Sequence, residues 1–128
     1  MSRPLELILA RQWAALLSMP VLIFDSEGSL VYFNEPAGLL LGRKYEEVGV
    51  MVPAEWQAAF PMETEDGHAI RGADTPMVAA LKQDMPVQRQ VVVKAMDGVR
   101  RRAAVTAFPI KGLERGSVGV MALVNAVN

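Results

Sequence analysis

The chain has 128 residues, 52% of them hydrophobic, with thirteen basic against fourteen acidic side chains and a net charge of −1. That length suits one domain, the composition supports a sizeable core, and the balanced charge gives no global case for nucleic acid or anionic membrane. Zero cysteine excludes disulfides, thiolate metal sites and a nucleophilic thiol, and a single histidine excludes a histidine-rich metal site within one chain.

Residues 4–18 read as an amphipathic helix. Leu5, Ile8, Leu9, Trp13, Leu16 and Leu17 recur at helical spacing on one stripe. Ser2 or Arg3 is the expected cap, Pro4 suits the first turn, and Pro20 stops the helix at Met19. Glu6 and Arg11 interrupt this apolar stretch, so it does not read as a secretory leader. No run approaches the ~20 apolar residues of a membrane span. The expected location is cytoplasmic, with neither membrane nor nucleic acid among the partners.

Residues 21–24 form a short apolar run that predicts a strand. Asp25, Ser26, Glu27 and Gly28 supply turn chemistry, and residues 30–33 return as the second strand of a hairpin. Asn34 is read as the N-cap of a short helix over 35–41 that Gly42 ends. Residues 45–48 predict a further helical turn. Residues 54–60 predict a helix with Trp56 and Phe60 on one face. Residues 61–72 lack periodicity and read as a loop. Asp74 is the expected N-cap of a helix running to about Gln83, with Met77, Val78, Ala80 and Leu81 apolar. The last third predicts strands at 87–96, 99–108 and 118–124, the first two joined by a two-residue Asp97-Gly98 turn. A helix, two strands, short helices and three strands make an α+β chain with an antiparallel sheet.

These pieces, taken together, resemble the PAS domain family. The resemblance rests on Pro20-Val21-Leu22-Ile23-Phe24-Asp25, Gly28, Val31-Tyr32-Phe33-Asn34 and Leu41-Gly42. It continues through Asp66-Gly67, Asp74-Thr75-Pro76, Ala80-Leu81, Asp97-Gly98-Val99-Arg100-Arg101, residues 105–110 and Gly119-Val120. It covers residues 19–128, leaving 1–18 as a flanking helix. It implies the PAS fold: a five-stranded antiparallel sheet of order 2-1-5-4-3, with short helices on one face enclosing a small cavity. It also implies a sensory module of a signalling protein, with a downstream effector domain or signalling protein as partner. The family's usual C-terminal Asp-Ile-Thr-like tripeptide corresponds to Ala126-Val127-Asn128, which lacks the Asp. The stopping place reads as a domain excised from a longer protein, and a stand-alone sensor is the other reading.

Val91 and Val93 face one side of their strand and Val92 the other, and Val120 and Met121 divide likewise. A sheet apolar on both faces needs cover on both. The N-terminal helix is the available second cover. It is expected to pack on the sheet with Leu5, Leu9, Trp13 and Leu16 at a homodimer interface, intrachain packing alone being the alternative.

Within the resemblance, Trp56, Phe60, Met77, Val78, Leu81, Val91, Val105 and Val120 are the ligand-cavity candidates. They either enclose a small apolar ligand or fill the space themselves. Haem is disfavoured because the only imidazole, His68, lies in the 61–72 loop, and cysteinyl-flavin chemistry is excluded. The cofactor stays unknown, either none or a small apolar ligand. No catalytic residue is assigned, and no metal site is read in the acidic loop of Glu63, Glu65 and Asp66. Arg100, Arg101 and Arg102 read as a solvated hairpin end paired with nearby acids. Two alternatives to a ligand-binding sensor remain: a ligand-free dimerisation or docking module, and a small enzyme on a cone-shaped sheet.

Overall fold

The computed structural model describes residues 4–112 and 116–127. The expected caps Ser2 and Arg3, the middle of the loop before the last strand, and Asn128 lie outside the described residues. In chain order come α1 (Leu5–Ala14), β1 (Val21–Asp25), β2 (Leu30–Phe33), α2 (Glu35–Leu41), α3 (Tyr45–Val48) and α4 (Pro53–Ala59). Then come β3 (Met62–Glu63), β4 (Ala69–Ile70), a single 3-10 turn at Gly72–Asp74, α5 (Pro76–Gln83), β5 (Val87–Lys94), β6 (Arg100–Lys111) and β7 (Ser117–Ala126). No helix among the described residues is long and apolar enough to cross a membrane.

The sheet is antiparallel, with order β2-β1-β7-β6-β5-β3-β4. It has seven strands rather than five. The run β2-β1-β7-β6-β5 is the expected 2-1-5-4-3 order, and the extra pair forms a hairpin on the edge of β5. That hairpin occupies the stretch read as a loop. Met62 pairs with Val93 and with Ile70, so two buried apolar side chains extend the sheet across an edge that would otherwise leave its backbone groups open.

Three hairpins share one turn geometry. In each, residue i donates to the carbonyl of i+4, and a glycine at i+3 donates back to the carbonyl of i. The sets are Asp25 to Ser29, Thr64 to His68 and Ala95 to Val99. Gly28, Gly67 and Gly98 take φ of 83°, 93° and 86°. The 95–99 connection is therefore a three-residue loop with a glycine bulge, not the expected two-residue turn.

The sheet separates two apolar clusters. The larger lies between the sheet and helices α2, α4 and α5, and contains Phe24, Phe33, Trp56, Phe60, Met77, Val91, Val105 and Val120. The smaller lies between α1 and the opposite face, and joins Leu7 and Ala14 to Val21, Ile23 and Val31. The helix thus packs on the sheet as expected, but not through the expected stripe. It ends at Ala14, earlier than Ser18: the Leu16 and Leu17 N–H groups turn to the carbonyls three residues back, at Trp13 and Ala14, and the Ala14 carbonyl also accepts from the Asn34 side chain. At α5 the N-cap is Thr75, not Asp74. Pro76 takes the first helical position, and the Thr75 hydroxyl accepts from the Val78 N–H while donating to Gly72 O at 2.7 Å.

Candidate functional site

Asn34 is buried and uses its whole hydrogen-bonding capacity. Its oxygen accepts from Ala37 N–H at 3.1 Å, the expected cap of α2, and from Val21 N–H at 3.0 Å. Its amide nitrogen donates to Ala14 O and Met19 O at 2.9 and 2.8 Å. One side chain therefore ties the end of α1, the start of β1 and the start of α2. Nearby, the Arg11 guanidinium sits 4.6 Å from the Tyr32 ring centre and 5.5 Å from that of Tyr45. Burial pushes the Tyr32 phenol above its ordinary value of 10.0, while the Arg11 charge pulls the other way.

The cavity candidates separate into groups. Trp56 donates its indole N–H to Gly28 O at 2.9 Å, meets Phe24 edge-on and stacks on Phe60. Phe60, Met77 and Val105 border an interior cavity of only ≈ 20 Å³. That is room for about one water, whereas ligand pockets run to ~300–1,000 Å³. Val91 and Val120 are buried core residues away from its lining. Val78 and Leu81 are half-buried and line a surface groove of ≈ 370 Å³ beside the Ser26–Gly28 turn. Trp56 and Phe60 also border a side pocket of ≈ 450 Å³ between α4 and the β3–β4 hairpin.

On the other face of the sheet, Leu5, Leu9, Trp13 and Leu16 are 65%, 50%, 71% and 86% exposed. Leu9 and Trp13 form one wall of a groove of ≈ 270 Å³ whose other wall is Phe108, Pro109, Ile110 and Met121. These four strand residues are half-buried and were not among the sequence candidates. Strand alternation was the signal available for Phe108 and Ile110, because Val105 and Ala107 face the core.

The charged groups of the β3–β4 and β5–β6 turns pair with one another. Arg100 pairs with Glu63, Arg102 with Glu65 at 2.6 Å, and Arg101 with Asp97 and with Leu40 O. His68 is on the exposed β3–β4 turn, its Nδ1 3.1 Å from Asp66. The hydroxyl of Thr64 and then His68 hold the Asp66 carboxyl below its ordinary value. The Val99 N–H, then Arg101, lower that of Asp97, and Lys111 with Ser117 lower that of Asp84. All three are surface carboxylates. No group of three or more potential metal-ligating His, Cys, Asp or Glu side chains occurs among the described residues.

No family model and no curated protein matches the sequence. Solved structures do match the architecture. The Rhodobacter sphaeroides LOV protein aligns at TM-score 0.70 with 12% identity, over 96% of this chain and 68% of that one. The PAS domain of nitrogen regulation protein NR(II) from Vibrio parahaemolyticus aligns at 0.62 with 14% identity, over 93% and 98%. The chain has the PAS fold. The PAS domain of Bordetella pertussis BvgS also aligns, at 0.63 with 14% identity over 96% of this chain and 86% of that one. At such identities the likeness concerns the PAS architecture, and the side chains of this chain carry any further argument.

Proposed function

We propose that this chain is a sensory signal-transduction module that relays its state through a homodimer interface. The observation that carries this is the apolar surface made by the outer side of α1 and the adjoining strand residues Phe108, Pro109 and Met121. Leaving Leu5, Leu9, Trp13 and Leu16 in water forgoes about 1.5–3 kcal/mol of burial each. A second copy offers the same apolar surface, and a two-fold pair is the commonest closed assembly. Asn34 supplies a route from the helical half to that surface, because it holds α2 and the end of α1 with the same side chain. A coupling of ~1–3 kcal/mol between helical half and interface is enough to bias a downstream effector.

The small interior cavity favours the ligand-free version of this reading, in which the stimulus is a partner and not a molecule enclosed in the core. Isotope-filtered NMR on a mixture of labelled and unlabelled chains tests the interface. Intermolecular contacts are expected at Leu9, Trp13, Phe108 and Met121. Their absence near millimolar concentration overturns the proposal.

A further inference from the structure

Among the described residues, Glu6 is the one charged side chain that lines the groove between α1 and strands β6 and β7. The rest of that lining is apolar, with Leu9, Ala10 and Trp13 on α1 facing Phe108, Ile110 and Met121 on the strands. Helical spacing puts the carboxylate there. Glu6, Leu9, Ala10 and Trp13 stand at i, i+3, i+4 and i+7 and so share one flank of α1. Glu6 is half-buried.

No neighbouring cation neutralises it. The Glu6 side chain makes no ion pair among the described residues. Arg11 lies roughly 140° further round the helix and is spent on the Tyr32 and Tyr45 rings. Strands β1, β2, β6 and β7 are the elements packed against α1. Their ionisable side chains are Asp25 on β1, Tyr32 on β2, and Arg100, Arg101, Arg102 and Lys111 on β6, and β7 carries none. The three arginines pair with Glu63, Asp97 and Glu65, and Lys111 pairs with Asp84.

We propose that Glu6 makes the homodimer surface proton-responsive: the pair is weak while Glu6 is ionised and tightens as Glu6 takes up a proton. This rests on the homodimer reading. A second copy closing over the groove strips water from the carboxylate, and the surface it offers is the same one, which brings no cation. Desolvation without a counter-charge favours the neutral acid. The helix N-terminus favours the ionised form, but solvent screens that effect, whereas burial between two apolar walls acts on the charge directly. Association is therefore linked to proton uptake, one proton for each copy.

Sedimentation equilibrium of the full chain from about pH 7.5 to about pH 5.5, at constant ionic strength, tests the link. The dimer Kd of the wild type should fall by about tenfold or more over that range. Glu6→Gln should dimerise more tightly than the wild type near pH 7.5 and lose the pH dependence, and Glu6→Leu should be tighter still. Tightening is the opposite of what damage to the fold produces. A dimer whose Kd is flat with pH, or a pH dependence that persists in Glu6→Gln, overturns this role for Glu6 and leaves the homodimer standing. A chain that is monomeric at every pH overturns both.

Discussion

The side-chain amide of Asn34 donates to the carbonyl of Ala14 at 2.9 Å, fastening the last turn of the N-terminal helix to the end of β2. Twenty residues separate the two in sequence. The same amide nitrogen holds Met19 O, and the side-chain oxygen accepts from the Val21 N–H that opens β1 and from the Ala37 N–H in the first turn of α2.

Replacing Asn34 should therefore loosen α1 and α2 together. Asn34→Ala removes an N-cap and leaves buried backbone groups unpaired, an expected loss of about 2–4 kcal/mol in urea unfolding. Asn34→Asp keeps the two accepted hydrogen bonds but sets a carboxylate oxygen against the carbonyls of Ala14 and Met19. Hydrogen exchange should then quicken in α1 more than in α2.

Gly119 sets how closely α1 approaches the sheet. A Cβ there would overlap the Phe24 carbonyl oxygen and stand 2.7 Å from Leu7 Cδ2. Gly119→Ala should cost about 2–3 kcal/mol by overpacking and reduce protection of the Leu7 amide. Gly67→Ala meets open space, so its cost comes from the positive φ alone, about 1–2 kcal/mol, and α1 should be unaffected. Equal effects of the two substitutions on α1 would refute this role for Gly119.

That close approach also explains what the sequence concealed. The long apolar side chains of α1 form the visible stripe, and they face outward. The face against the sheet is Leu7, Ala10 and Ala14, mostly small residues that a pattern of large hydrophobics does not register. The Asn34 cap and the Trp56–Phe60 pair on one helix face were legible because each rests on local chemistry or helical spacing, whereas the order of the five main strands came only with the resemblance to the PAS family. The β3–β4 hairpin was not legible, since a two-residue strand has no periodicity. Its turn does carry a sign, a glycine at the fourth position as in the 25–29 and 95–99 turns. The interior volume was illegible for another reason: whether apolar side chains enclose space or fill it depends on three-dimensional packing, not on residue type.

The turn carboxylates give a pH dependence of known sign. Asp66, Asp84 and Asp97 all have folded-state pKa values below the ordinary 3.8. Their contribution to stability is therefore present above the unfolded pKa and is lost as pH falls from about 3.8 through the lower folded values. Tm should drop over that range. Asp97→Asn keeps an oxygen to accept from Val99 N–H but removes the charge next to Arg101, so the drop should be shallower in this variant. An identical Tm-against-pH curve for the variant would contradict the assignment.

Leu7 and Leu9 should respond oppositely to truncation. Leu7→Ala opens a buried site and should cost about 2–5 kcal/mol in any assembly state. Leu9→Ala should change monomer stability by no more than about 0.5 kcal/mol, because half of Leu9 is in solvent. Any larger effect of Leu9→Ala should appear only at concentrations where the chain self-associates.

Sedimentation equilibrium over micromolar to near-millimolar concentrations is the most direct test of the outer face of α1 as a homodimer surface. The wild-type chain should fit a monomer–dimer equilibrium, and the double variant Leu9→Glu with Trp13→Glu should remain folded but monomeric throughout. A wild-type chain that stays monomeric over the whole range, or a double variant that dimerises as tightly as the wild type, would contradict the account.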